Sequence, residues 1–514
     1  MENEAVREEM TPVATSGPES ACGQGAALAD AESHAHSAET PGGLRLASRR
    51  GRWVLLMTIL GSGMAGIDAT IVNVALPEIG RTFDAPFATL QWIVTAYALT
   101  LAAFILLGGV LGDRYGRRRI FVIGVVWFAI ASLACGIAPT AGTLVLARAL
   151  QGIGGALLTP GSLAMLQSAF VREDRARAIG AWAGFGGVAT AIGPFVGGWL
   201  IEVASWRWAF LINLPLAVVV LLIAARHSPT DTTEGSPGHL DVLGAGLGVS
   251  TLAGLSYALT GAAEDGLGID GSVALAVGAA SALAFLVHEH RTVDPILPLG
   301  IFASSRFSTV NAVTFIVYGG MGVVFLLLVI QLQVVSGWGA VAAGVATLPT
   351  TLLMMLFSAR SGDLASRLGP RLQMSVGPLV MAGGILLLLR IGPDADYLRD
   401  VLPGVVVFGL GLTAMVAPLT AAALATAPDE HAGLASGINN AVARTGGLIG
   451  VAAIPSLTGL TGQVVDDPVA FDSGFRVAMV SAAVVVAAGG LLAAAALRND
   501  VLPDDVPHDE RGVR

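Results

Sequence analysis

The stretch Gly109-Val-Leu-Gly-Asp-Arg-Tyr-Gly-Arg-Arg-Arg119 is a short polar hairpin between two long apolar runs. A worn copy returns in the second half of the chain as Gly362-Asp-Leu-Ala-Ser-Arg-Leu-Gly-Pro-Arg371. With the glycines aligned, Gly109 meets Gly362, Leu111 meets Leu364, Arg114 meets Arg367 and Gly116 meets Gly369, while Ser366 stands opposite Asp113. Such self-similarity marks one structural unit used twice in parallel, and that arrangement governs how the rest of the chain is read.

Of the 514 residues 54% are hydrophobic and 13% charged, where a soluble domain has about 25% charged residues. Mean hydropathy is +0.74. Apolar runs of roughly twenty residues recur, each long enough to cross about 30 Å of hydrocarbon. The chain is therefore expected to be an all-α integral membrane protein. Fourteen helical spans are expected, near 53–77, 89–111, 120–138, 142–169, 178–201, 208–225, 241–260, 272–288, 307–330, 341–359, 371–391, 401–426, 433–459 and 473–497. They group as a six-helix lobe over 53–225, two linker helices with flanking loops over 226–306, and a second six-helix lobe over 307–497. Tails 1–52 and 498–514 are polar, and the first reads as disordered.

Placing both tails in the cytoplasm puts 21 arginines in tails and inner loops and five in outer loops, which fixes the expected orientation. All 28 basic residues are arginine. Without lysine there is no Walker A loop, so nucleotide hydrolysis by that route is excluded. Cys22 lies in the tail and Cys135 in an apolar run, so no disulfide is expected. The eight histidines read as tail or loop residues, and no spacing suggests a metal site or a cofactor.

Ionisable groups inside a bilayer are costly and usually functional. Three fall well within the expected spans: Asp68, Arg148 and Arg444. At 1.5 Å per residue, Asp68 lies ~22 Å along span one and Arg148 ~9 Å from the outer end of span four, so the two share a depth. Burial disfavours an ionised carboxylate and a neighbouring arginine favours it, so separating such a pair would switch proton affinity. A static ion pair between two helices is the alternative. Span five carries Gly193, Pro194, Gly197 and Gly198; the proline is expected to kink the helix and the glycines to admit a close neighbour. Thr70, Asn73, Trp92, Tyr97, Gln151, Asn439, Asn440 and Arg444 are candidate cavity residues.

Several of these segments resemble one family. Gly109, Asp113, Arg114, Gly116 and Arg117 match the signature loop of the major facilitator superfamily. Ile67-Asp-Ala-Thr-Ile-Val-Asn-Val-Ala-Leu-Pro77, Leu146-Ala-Arg-Ala-Leu-Gln-Gly-Ile-Gly154 and Gly193-Pro-Phe-Val-Gly-Gly198 resemble its fourteen-span, EmrB/QacA-like drug:proton antiporters. Trp206-Arg-Trp-Ala-Phe-Leu-Ile-Asn-Leu-Pro215 is similar as well, and its tryptophans read as interfacial anchors.

The resemblance implies a major facilitator fold in the cytoplasmic membrane, acting as a monomer. It implies Asp68 as the proton-coupling acid with Arg148 beside it, and Asp113 as a latch on a helix terminus of the other lobe. The partners implied are protons, the lipid bilayer and a small hydrophobic or amphipathic substrate, with no nucleic acid. Import of a polar nutrient by symport, or export of a single metabolite, remains open. An enzyme finds no support, since no nucleophile or paired-carboxylate constellation lies in the spans.

Overall fold

A computed structural model describes residues 43–227, 241–261, 268–292, 295–425 and 432–497. Most of the expected tails, 1–52 and 498–514, lies outside them. The first helix starts at Arg49, earlier than expected, because Ser48 Oγ accepts from Gly51 N at 3.0 Å and caps it. In chain order the helices are α1 Arg49–Phe83, α2 Phe87–Tyr115, α3 Arg117–Gly136, α4 Ala141–Ala169, α5 Arg172–Val203, α6 Trp208–Leu211 and α7 Asn213–His227. Then follow α8 Val242–Gly261, α9 Ile269–Arg291, α10 Ser305–Val334, α11 Ala340–Val345, α12 Leu348–Leu368, α13 Pro370–Leu387, α14 Leu402–Ala425, α15 Ala432–Leu457 and α16 Pro468–Ala496.

Twelve helices among the described residues are long and apolar enough to cross a membrane. The expected fourteen thus reduce to twelve on that measure. The two that fall outside it are α5, with 32 residues, and α15, with 26. Within α5 the stretch Ile192–Val203 is apolar but shorter, and in α15 Asn439, Asn440 and Arg444 lower the hydropathy.

The repeat seen in the hairpins extends to packing. In the first half α1 packs on α5 and α7, α3 on α4 and α7, and α2 on α4. In the second half α10 packs on α15 and α16, α13 on α14 and α16, and α12 on α14. The linker helices α8 and α9 pack on each other, and α8 also touches α2 and α15. Leu44 onward forms one compact unit.

Glycine does two defined jobs here. Gly116 (φ 99°) and Gly369 (φ 80°) turn the two hairpins in a backbone region that a side chain disfavours, which is why both copies keep glycine there. Elsewhere glycine lets helices touch. A β-carbon on Gly154 would lie 2.7 Å from Phe128 N, between α4 and α3, and one on Gly384 would lie 2.7 Å from Phe408 Cα, between α13 and α14.

The Gly384 contact sets a test of this packing. Gly384→Val must push α13 and α14 apart, and overpacking typically costs ~1–3 kcal/mol. A lowered thermal midpoint of the purified protein is expected, and an unchanged midpoint would show that the two helices are not in contact there.

Candidate functional site

Asp68 on α1 and Arg148 on α4 form an ion pair at 0% and 1% side-chain exposure. Both are fully enclosed by uncharged polar and aromatic groups. Gln151 Nε2 donates to Asp68 Oδ1 at 2.8 Å and to Ser132 Oγ at 2.7 Å. Asn213 Nδ2 also lies 3.2 Å from both of those oxygens. Arg148 Nε donates to the Ile93 carbonyl at 3.0 Å, and the same guanidinium donates to Gln151 Oε1. The Tyr97 ring lies 4.3 Å below the guanidinium carbon and the Phe210 ring 5.7 Å from it. Cys135 Sγ completes the cluster, 3.6 Å from Gln151 Oε1.

Both carboxylate oxygens are thus met by donors from other helices, and α1, α2, α3, α4 and α7 meet at one buried point. Asn213, Ser132 and Cys135 were not identified from the sequence. Asn213 falls in the segment read for its tryptophans, and one of those is placed differently from expectation. Trp206 is buried at 3% exposure, with its Nε1 3.1 Å from Thr82 Oγ1 and its ring edge-on to Phe83 and Phe210. Trp208, 48% exposed, is the one placed to meet lipid.

Span five runs as a continuous helix through Pro194. Its glycines face two ways. A β-carbon on Gly193 would press on Thr70 and lie 3.2 Å from the Ile67 carbonyl, and one on Gly197 would reach Ile71 Cγ2 at 2.9 Å. These contacts flank Asp68 on α1. A β-carbon on Gly198 would lie 2.6 Å from Val341 Cα, and one on Gly344 would lie 2.6 Å from the Pro194 carbonyl. The segment is wedged between the acid's helix and the second half of the chain.

The cavity candidates separate into groups. Asn439, Asn440 and Arg444 line a cavity of ≈ 340 Å³ together with Tyr318 and Thr420. Gln151 belongs to the acid's network instead. Thr70 bonds back to the Ile67 carbonyl at 3.0 Å and abuts Gly193. Trp92 packs against Tyr257 of α8, with ring centroids 6.2 Å apart, rather than on the cavity. Asn73 is half-buried with its Oδ1 unpartnered. Tyr97 is buried with an unpartnered hydroxyl, within electrostatic reach of Asp68, Arg148 and Arg444.

In the hairpin, Asp113 Oδ1 lies 3.0 Å from both Nε and an Nη of Arg117, one turn away, with 60% of its side chain exposed. The docking of Asp113 onto a helix end of the second half is not formed among the described residues. Arg117 also donates to the Ala164 carbonyl at 3.1 Å, Arg114 lies over the Tyr115 ring, and the side chain of Ser366 lies outside the described ones. At the opposite face the halves are tied together. Phe87 N donates to Gly462 O at 2.7 Å, Gln91 Nε2 to Val451 O at 2.7 Å, Gln333 Nε2 to Val74 O at 3.1 Å, Gln463 Nε2 to Asp84 Oδ1 at 3.2 Å and Val341 N to Glu202 Oε1 at 3.0 Å. The apolar core is continuous between the halves there, through residues such as Phe87 and Phe471, whereas the first half keeps a separate core toward the hairpin.

A polar clamp joins the linker helices. His288 Nε2 lies 2.7 Å from Asp241 Oδ1, and buried Glu289 accepts from Leu297 N at 2.9 Å. His288 and His290 were expected in a loop, but α9 runs on to Arg291 and carries both.

The family described as Major Facilitator Superfamily matches residues 58–451. Puromycin resistance protein pur8 of Streptomyces alboniger is 36% identical over 428 residues, covering 81% of this chain and 83% of that protein. Multidrug resistance protein Stp of Mycobacterium tuberculosis is 35% identical over 410 residues, covering 78% and 75%. Among solved structures, a bacterial homologue of the human lysosomal transporter Spinster, in an inward-facing and unoccupied conformation, aligns with a TM-score of 0.63 at 18% identity, over 88% of this chain and 97% of that one. At that identity the likeness concerns the fold alone.

The enclosed pair makes a stability prediction. Arg148→Ala leaves Asp68 buried without its cation, and breaking a buried pair in this way costs ~3–5 kcal/mol. Adding Asp68→Asn removes the stranded charge, so the double variant should unfold at a higher temperature than Arg148→Ala alone. Additive losses in that cycle would mean the two side chains do not interact.

Proposed function

The chain belongs to the Major Facilitator Superfamily, and on that premise we propose that it exports drug-like or antibiotic small molecules across the cytoplasmic membrane, conferring resistance, by proton antiport with alternating access. The observation that carries this reading is the buried Asp68–Arg148 pair beside a glycine-lined seam to the second half. A carboxylate so enclosed can take up or release a proton only when its surroundings change, which is what couples proton movement to a conformational cycle. The names of the relatives at 36% and 35% identity support resistance as the outcome.

In this reading α5 and α15 complete fourteen spans. The chain acts as a monomer in which lobes 53–225 and 307–497 are joined by two linker helices over 226–306. Both termini lie in the cytoplasm, so the hairpin face is the inner one. The hydrogen bonds between residues 84–91 and 451–463 then close the outer side, and the state described is inward-facing. Asp113 rests on Arg117 in this state and engages the second lobe when the inner side closes.

Asp68→Asn keeps the shape and loses the titrating group. Proton-driven export in inverted vesicles should fall to background, with membrane insertion near wild type. Full active export by this variant would remove Asp68 from coupling.

Asp113→Asn is expected to bias the protein further toward the inward-facing state and to slow export. A charge at a helix end is worth ~0.3–1 kcal/mol when exposed and up to ~2 when partly buried, enough to shift a near-balanced pair of states several-fold. Spin-label distances across the hairpin face measure the shift. Identical distributions in wild type and variant would reduce the hairpin to a topological role.

A further inference from the structure

We propose that the cavity at Arg444 is a site for organic anions, so that the molecules this chain exports carry a carboxylate or an acidic phenol. The proposal deepens the export reading and rests on it for the word export, but the site itself rests on geometry.

The two arginines inside the spans have opposite surroundings. Arg148 is neutralised by Asp68 and satisfied by Gln151 and the Ile93 carbonyl. Arg444, midway along α15, is half-buried, its Nε is buried with no hydrogen-bond partner, and no carboxylate pairs with it among the described residues. Its electrostatic neighbours are the tyrosines Tyr97 and Tyr318. Arginine cannot shed its proton, so this charge needs an anion or water to balance it, and the space beside it is where either would sit.

That space suits an acid. The ≈ 340 Å³ cavity has the volume of a small ligand site. Arg444 offers a planar donor fork that matches a carboxylate or a phenolate with its neighbouring oxygen. Around it stand Tyr318 and Asn440, both capable of donating to a second oxygen. Asn439 is fixed in place by its own bonds to Asn311 Oδ1 at 3.2 Å and Thr314 Oγ1 at 2.9 Å. No acid lines the cavity among the described residues, so the charge of Arg444 there favours an anion over a cation.

Tyr97 connects this site to the first half. Its ring lies against Arg148 and its unpartnered hydroxyl is within reach of the field of Arg444. In antiport, an anion leaving the cell and a proton entering it move charge in the same sense. Both movements run with an inside-negative membrane potential.

Binding to the purified full-length protein in nanodiscs tests the site without requiring transport. The probes are aromatic carboxylates of two to four fused rings and their matching primary amides. The acids should bind at least about ten-fold more tightly than the amides, and Arg444→Gln should abolish that preference by weakening the acids far more than the amides. Arg444→Lys should retain part of it. In the wild type, raising the salt concentration should weaken the acids and spare the amides, a readout that stands even if Arg444→Gln does not fold. Equal affinity for acid and amide, no binding of any acid, or an equal loss of both in Arg444→Gln would overturn the proposal. Proton-driven transport in liposomes separates the two ideas. Acid preference without proton-coupled transport sinks the export reading and leaves the anion site standing. Proton-coupled export of ethidium with no acid preference does the reverse.

Discussion

The constraint on which the first half depends is that Asp68 and Arg148 are charged and have no access to water. In such surroundings an unmatched lone pair or N–H is expensive, so the helices must arrive where their polar groups can serve the pair. Ile93 contributes a carbonyl from α2, Ser132 a hydroxyl from α3, Gln151 an amide from α4 and Asn213 an amide from α7. Apolar packing alone would tolerate small slides between these helices, because lipid is as apolar as leucine and does not drive them together. The polar cluster removes that freedom and makes the first half a rigid body at the level of the acid.

The two halves share packing but divide the chemistry. The same helix pairs associate in each, and Gly116 and Gly369 turn equivalent hairpins. Yet among the described residues the enclosed acid has no counterpart in the second half, while the open cavity lies on α10, α14 and α15. A repeat can be copied faithfully where it sets backbone approach and can diverge where side chains meet solvent or substrate. Opposite Asp113 the second copy has Ser366, which is the same division at the surface.

Legibility in the sequence followed charge. Asp68, Arg148 and Arg444 stood out because ionised groups are rare against an apolar background, and their depths could be counted along a helix. Ser132, Cys135 and Asn213 did not, because a single uncharged polar residue in a span costs little and signals nothing until its facing helix is known. Trp92 and Trp206 misled for a related reason: composition shows that an indole is present, not whether lipid, cavity or protein surrounds it. The clamp of Asp241, His288 and Glu289 escaped because charged residues at the end of a span read as the start of a loop, whereas α9 carries His288 and Glu289 in its last turn and Asp241 stands just before α8. The hairpin was the most legible element, since its glycines answer a backbone demand that only glycine meets easily.

How a proton at Asp68 could reach the second half follows from what each partner of Arg148 does when the acid is neutral. The guanidinium keeps the Ile93 carbonyl and Gln151 Oε1, so it is not stranded by protonation of its counter-ion. What changes is the attraction holding α1 to α4. Two residues from Asp68, Thr70 abuts Gly193, and the same stretch of α5 meets Val341 and Gly344 through Gly198 and the Pro194 carbonyl. Contacts made by hydrogen atoms of glycine have no side chain to lock, so this seam can shift without unpacking a core. Under the proposed antiport, the proton therefore needs to supply only the difference between two nearly balanced packings, a few kcal/mol, and not the cost of breaking the buried cluster itself.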